Sequence, residues 1–177
     1  MKLNVGCGDR PLAGYINLDA NEELFPDVVA RVPPLPYEDG AFEEIFACHF
    51  LEHLTQPESV EFLKECHRCL EDGGKLGLVV PDTREVMKRW LAKSPDCVEY
   101  PPGTWWPVND LDAVSAIFLY ATISGARHQW SYAKDTLGRA MAMAGFGNAK
   151  EIDRYRDPRL ASPAWYQVGI EGVKLDG

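Results

Sequence analysis

Apolar and polar residues alternate with a period of two at the start of the chain. Leu3 and Val5 flank Asn4, and Ile16 and Leu18 flank Asn17. Both stretches are rich in β-formers and read as short strands. Asp27 to Val32 (DVVARV) reads as a third strand. A fourth lies within Ala41 to Phe50 (AFEEIFACHF), around Glu44–Ala47. The period then changes. Gln56-Pro57-Glu58 opens a helix, with Pro and acidic residues in its first turn. Val60, Leu63, Cys66/His67 and Leu70 keep helical spacing, and Gly73-Gly74 predicts its end. Lys75 to Val80 (KLGLVV) is a fifth, strongly β stretch, stopped by Pro81-Asp82. Arg84 to Ala92 is predicted helical, and Ser94 to Pro107 is irregular and rich in Pro, Gly and Trp. Asn109 can cap a helix running to about Ser124, with Leu111, Val114, Phe118 and Ala121 on one face. Lys134 to Ala144 predicts another helix, with Gly145 as a left-handed stop. Ala149–Tyr155 and Trp165–Val173 read as two closing strands.

Strands alternating with helices imply an α/β class with a mainly parallel sheet. Ligands of such sheets sit at the carboxyl ends of strands, where the strand order reverses. That expectation gathers Gly6–Gly8, Asp19, the Pro33–Tyr37 loop and Cys48–His53 around one crevice. The first connection is unusually short. Nine residues, Gly6 to Gly14, join the first two strands, whereas a parallel crossover normally takes a dozen or more. Either a single helical turn fills the gap or the two strands pair differently.

The first two strands and the turn between them are also the most informative stretch chemically. Gly6 and Gly8 let backbone N–H groups approach a ligand where a Cβ would collide. Asp19 ends the second strand and can accept two hydrogen bonds from a ribose diol. The pattern departs from a dinucleotide fingerprint. Pro11 stands where the third glycine belongs, and Asp19 follows Gly8 by eleven residues instead of about twenty. An ordinary strand–turn–strand with a solvated Asp fits the same residues.

Composition narrows the class. The chain has 177 residues, 46% of them hydrophobic and 25% charged, which suits one domain, 1–177, with a real core. A net charge of −9 and an isoelectric point near 4.9 repel phosphate backbones, so no nucleic-acid groove is expected. No apolar run approaches the roughly 20 residues that span a bilayer, and no signal peptide is expected. Five irregularly spaced cysteines suggest reduced thiols and a cytoplasmic setting.

Four segments, in order, carry a resemblance: LNVGCGDRPLAGYINLD, LPYEDGAFEEIFACHFLEHL, HRCLEDGGKLGLVVPD and HQWSYAKDTLGRAMAMAGF. Together they resemble a short class I S-adenosylmethionine-dependent methyltransferase of the type 11 kind. The resemblance implies a Rossmann-like fold, with a mainly parallel sheet, an antiparallel C-terminal strand and flanking helices. It implies S-adenosyl-L-methionine as cofactor. Gly6, Cys7 and Gly8 would line its methionine and ribose parts, with Asn4 beneath them, and Asp19 would hold the ribose hydroxyls. Val32 and Leu35 occupy the positions of the family's adenine site. Cys48, His49 and Phe50 would border the reactive methyl. Two departures stand out: Arg31 replaces the family's frequent acidic residue for the adenine amino group, and the family's usual helix before the first strand is missing.

Methyl transfer from a sulfonium needs alignment above all, because the leaving group is already charged. A base is needed only for a protonated nucleophile. His128 is the first candidate, since a His at this point of resembling proteins faces the site. His49, just past the fourth strand, is the second. Each also suits a plain structural role, His128 as a loop or cap residue and His49 in packing around the cofactor. Glu52 and His53 are expected to fix the loop after that strand. Cys66-His67-Arg68-Cys69 lies inside an amphipathic helix without a second paired set, so no metal site is expected. Residues 84–130 form an insertion read as a lid or an oligomerisation element, with Tyr100, Trp105 and Trp106 placed to cover an acceptor or a subunit contact. The expected function is methyl transfer to a small-molecule or glycan-like acceptor, with a homodimer as a candidate assembly. A non-catalytic binding module for the cofactor or its demethylated product is the first alternative. A nicotinamide-dependent oxidoreductase is the second, disfavoured by the glycine-to-Asp19 spacing and the lack of a Tyr-x-x-x-Lys pair.

Overall fold

The structure is a computed structural model and describes residues 1–92, 127–153, 156–160 and 165–175. In chain order the strands are β1 (Lys2–Val5), β2 (Ile16–Asp19), β3 (Val28–Val29), β4 (Phe42–Cys48), β5 (Leu70–Pro81), β6 (Phe146–Glu151) and β7 (Gln167–Lys174). The helices are α1 (Gln56–Cys69), α2 (Thr83–Leu91) and α3 (Lys134–Met143). One seven-stranded sheet runs β3–β2–β1–β4–β5–β7–β6. The first five strands are mutually parallel, and β7 is antiparallel to both β5 and β6. The order reverses between β1 and β4, which makes the carboxyl ends of those two strands the switch point of the sheet.

The period-two pattern explains both faces. Leu3, Val5, Ile45, Ala47, Leu76, Leu78 and Val80 point to one side, where Phe62, Leu63 and Cys66 of α1 and Leu137 and Met141 of α3 cover them. Phe46 and Val79 point to the other, with Ile152, Leu12, Tyr15 and Leu160. There the Arg159 guanidinium lies over the Phe46 ring at 4.5 Å. It also pairs with Glu44 at 2.6 Å, Asp157 at 2.6 Å and Glu171 at 3.2 Å. Helix α1 begins where its sequence says it should. Thr55 and Glu58 form a reciprocal capping box, and Pro lies in the first turn.

Several boundaries differ from expectation for visible reasons. The third strand has two residues rather than six. Asp27 is drawn away to accept hydrogen bonds from the backbone and side-chain nitrogens of Asn17, at 2.8 and 3.0 Å, and Pro33 and Pro34 donate none. Helix α1 ends at Cys69, not at Gly73-Gly74. Leu70 already pairs with Phe42, and the register slips before Glu44 meets Lys75, so Gly73, with φ +75°, sits in that irregularity. β6 starts at Phe146, directly after Gly145, whose φ of +96° stops α3 as predicted. The expected helix from Asn109 to Ser124, and Tyr100, Trp105 and Trp106, lie outside the described residues.

β1 and β2 do pair in parallel, although no helix joins them. Two buried amides make the short connection workable. Asn4 Nδ2 donates to Asn17 Oδ1 at 2.9 Å, and Leu12 N donates to the same oxygen at 2.7 Å. Asn17 Nδ2 reaches the carbonyls of Leu12 and Tyr15. A single side chain thus supplies the partners that a crossover helix would have supplied internally.

Candidate active site

The glycine turn leaves β1 in a conformation that only small residues take easily. Gly6 has φ +65° and Gly8 φ +54°. Gly6 N and Cys7 N both donate to Leu18 O, at 2.8 and 3.1 Å, which folds the turn over the end of β2. Gly8 N then donates to Asp19 Oδ2 at 2.9 Å, and Asn21 N to Asp19 Oδ1 at 2.9 Å. Asp19 therefore ties two loops together at the mouth of the switch point. Each carboxylate oxygen keeps a further acceptor position, because an ionised carboxylate offers about four. Asn4 lies beneath, 3% exposed. Cys7 is buried, and burial, followed by the charge of Asp19, pushes its thiol up to about 11.

Phe50 shapes the other wall. A Cβ placed on Gly6 would stand 2.5 Å from Phe50 Cδ2. The Phe50 ring is in turn held against Phe62 at 5.0 Å between centroids. Gly6 is thus required twice, by its backbone angle and by this ring.

Beyond β4 the chain turns sharply at His49, whose φ is +54°, a strained value for a residue with a Cβ. Its amide donates to Val79 O at 2.9 Å. Both ring nitrogens are engaged. Nδ1 lies 2.9 Å from Glu52 Oε1 and Nε2 lies 2.7 Å from the amide nitrogen of Gln167. These contacts assign the proton to Nδ1, donated to Glu52, and leave Nε2 to accept from Gln167. Glu52 is 2% exposed. Burial alone would push it up, but the hydrogen bond from His49 holds it below its ordinary value. Cys48, beside it, is pushed up to about 12 by burial and then by the Glu52 charge.

The segment carrying His128 is fastened to this turn. Gln129 N and Trp130 N both donate to Glu52 O, at 2.8 and 3.2 Å, and Gln129 Nε2 donates to His53 O at 3.1 Å. His128 Nε2 comes to 4.0 Å from Glu52 Oε1, and its ring meets the His53 ring edge-on at 4.9 Å. A narrow pocket there is lined by Glu52, Thr83, His128, Trp130, Ser131 and Tyr132.

Gly6, Cys7, Gly8 and Asp19 gather at the carboxyl ends of β1 and β2, and Cys48, His49 and His128 gather past β4. Leu35 stands elsewhere. It lines a hollow at the amino end of the sheet with Met1, Tyr37 and Ala41, and β1 separates that end from the glycine turn by roughly 13 Å. Its carbonyl and amide are held there by Arg68 and Glu65 of α1. Val32 is buried within the main core. Cys66 and Cys69 are buried in α1, their thiols raised by burial. Sequence reasoning missed Asn17, Gln167 and the wall made by Phe50 against Gly6. Asn17 had one visible signal, its polar place between two apolar strand residues.

Comparison with known proteins agrees with this geometry. Residues 3–78, from β1 into β5, match the family model for a methyltransferase domain. Solved structures share the fold across nearly the whole chain. A Thermotoga maritima protein described as an S-adenosylmethionine-dependent methyltransferase and possible histamine N-methyltransferase is 18% identical. The alignment covers 98% of this chain and 81% of that one, with a TM-score of 0.59. An S-adenosylmethionine-dependent methyltransferase from Archaeoglobus fulgidus is 16% identical, with 98% and 85% covered and a TM-score of 0.58. One from Mesorhizobium loti is 13% identical, with 97% and 89% covered and a TM-score of 0.57. No curated protein sequence matches the chain. Residues 3–78 therefore match a methyltransferase domain, and the chain has the Rossmann-like fold of these solved structures. Among the described residues, no helix is long and apolar enough to cross a membrane.

Proposed function

We propose that this chain is an S-adenosylmethionine-dependent methyltransferase that acts on a small-molecule or glycan-like acceptor held at the carboxyl ends of β4 and β5. The cofactor would lie across the glycine turn. Gly6, Cys7 and Gly8 would line its methionine and ribose parts, Asn4 would support the turn from below, and Asp19 would accept the ribose hydroxyls. Val32 would stand on the adenine side, and Cys48 and His49 would border the methyl group. The observation that carries this reading is Asp19, whose two oxygens bridge Gly8 and Asn21 while keeping acceptor positions in reserve.

The two histidines take different parts in this reading. His49, with both ring nitrogens engaged, is a positioning residue for Glu52. His128, at 4.0 Å from the same carboxylate, is the group placed to meet the acceptor's nucleophilic atom. The bond that forms joins that atom to the methyl carbon. The bond that breaks is methyl to sulfur, whose electron pair neutralises the sulfonium.

Calorimetric titration tests the cofactor half. S-adenosylhomocysteine should bind, NAD should not, and Asp19→Asn should weaken binding about 10- to 100-fold through loss of charge-assisted hydrogen bonds. Unchanged affinity in a folded Asp19→Asn protein would move the ribose elsewhere. Labelled-methyl transfer to pooled small hydroxylated and glycan acceptors tests the other half.

A further inference from the structure

We propose that Glu52, His53 and His128 form a binding site for one divalent transition-metal ion. One donor atom from each residue lies within 4.8 Å of the others. Two imidazoles and one carboxylate suit zinc, cobalt, manganese or iron, and they leave coordination positions open. With metal–ligand bonds of about 2.1 Å, donors on one ion are separated by no more than about 4.2 Å. The widest pair here must therefore close by about half an ångström, a rotamer-scale adjustment.

Three independent features point to a cation. The first is an orphan oxygen. Glu52 Oε2 is fully buried and has no hydrogen-bond partner among the described residues, although its residue is only 2% exposed. A buried carboxylate oxygen without a partner is destabilising unless a cation or donor meets it. The second is the orientation of that carboxylate. His49 Nδ1 holds Oε1 at 2.9 Å, and Gln167 holds His49 from behind at 2.7 Å. Such outer contacts leave one defined oxygen for an ion. The third is the state of His53. Its Nδ1 faces the carbonyl of Arg127 at 3.3 Å, which accepts a proton only from Nδ1. That contact assigns the lone pair to Nε2, as metal-ligating histidines normally have it.

The backbone makes the cluster a built site rather than a surface coincidence. The Leu51–His53 turn and the Arg127–Trp130 segment are joined by three hydrogen bonds from Gln129 and Trp130 besides the His53–Arg127 contact, so donors far apart in sequence are held on one rigid frame. An ion there would give the pocket a Lewis acid able to hold an acceptor oxygen, and His128 would then meet the acceptor through the ion rather than directly. That role rests on the methyl-transfer reading; the existence of the site does not.

The test is therefore a binding measurement without cofactor or acceptor. The 177-residue chain, stripped with chelator, is titrated with Co²⁺ and followed by visible absorption, with Zn²⁺ as competitor. One Co²⁺ per chain should bind with ligand-field bands typical of nitrogen and oxygen donors, and Zn²⁺ should displace it. His53→Ala and His128→Ala should each weaken Co²⁺ binding by more than about tenfold. A Cys66→Ser/Cys69→Ser protein should bind as the unaltered chain does. Glu52→Gln should bind poorly too, but its buried position can disturb folding, so the two histidine variants decide, with circular dichroism confirming their folds. No Co²⁺ uptake, uptake indifferent to both histidine variants, or a thiolate-to-cobalt charge-transfer band would each overturn the proposal.

Discussion

Asn4 and Asn17 meet amide to amide in the buried seam between β1 and β2, Nδ2 to Oδ1 at 2.9 Å. The same Asn17 oxygen takes Leu12 N, and its nitrogen serves two loop carbonyls and Asp27. The Gly6–Gly8 turn therefore hangs on one side chain. Asn17→Ala leaves several buried donors and acceptors without partners. The expected loss is about 2–4 kcal/mol of stability, read as a lower urea midpoint. Cofactor affinity should fall with it, since Gly6 to Gly8 are set by this loop. A variant with an unchanged midpoint would show that water replaces the amide without cost.

Gly6 and Phe50 should be energetically coupled. Gly6→Ala meets the Phe50 ring at 2.5 Å at a φ of +65°, and should cost about 2–4 kcal/mol. In a Phe50→Leu background the steric part is relieved while the backbone part remains. Gly6→Ala should then cost about 1 kcal/mol less, a coupling that a double-mutant cycle in urea resolves. Strict additivity of the two substitutions would show that the ring moves away freely.

The strands were legible because their inward residues follow the pleat: Leu3 and Val5, Ile45 and Ala47, Leu78 and Val80 each recur at two. Helix α1 was legible from Pro57 and Glu58. Its end was not, because the Gly73-Gly74 pair looks like a stop while Leu70 is already claimed by Phe42. Tertiary pairing overrode local propensity there. The glycine turn and Asp19 could be read from residue type and order. The environment of Glu52 could not. It depends on His128 and Gln167, brought from 76 and 115 residues away, and no local pattern encodes such a meeting. Leu35 was misleading for the opposite reason. Its order in the chain suits an adenine wall, but Arg68 and Glu65 hold its backbone at the far end of the sheet.

The Arg159 cluster predicts how the protein responds to acid. Burial would raise Glu44, but hydrogen bonds from Tyr15, Lys2 and Arg159 hold it below its ordinary value of 4.5. The hydrogen bond from Arg159 likewise holds Asp157 below 3.8, against the effect of burial. Both carboxylates are depressed in the folded state. Their contribution is therefore complete above the unfolded values and is lost as pH falls through the lower folded ones. The urea midpoint should drop between about pH 5 and about pH 3. Arg159→Met should flatten that drop, because it brings the folded values toward the unfolded ones. An equally steep fall in Arg159→Met would assign the acid sensitivity to other groups.

His49 and His128 both approach Glu52 Oε1, at 2.9 and 4.0 Å, and should fail differently when replaced. His128→Ala should lower kcat by about 10²–10⁴, the range for loss of a group acting at the reacting atoms. S-adenosylhomocysteine affinity should stay within about threefold, because the proposed cofactor site lies on the Gly6–Asp19 side. His49→Gln keeps a donor toward Glu52 but loses the ring that Gln167 supports, and His49 also borders the proposed methyl position. It should therefore affect both quantities, with a smaller fall in kcat, roughly tenfold, and a measurable loss of cofactor affinity. The positive φ of His49 adds a third readout. His49→Gly should relieve backbone strain while removing the Glu52 contact, so its stability should exceed that of His49→Ala by about 1 kcal/mol. Equal kcat losses for His128→Ala and His49→Gln, with cofactor affinity untouched in both, would mean that the two rings act as one unit. The division between a residue that meets the acceptor and one that positions Glu52 would then fall.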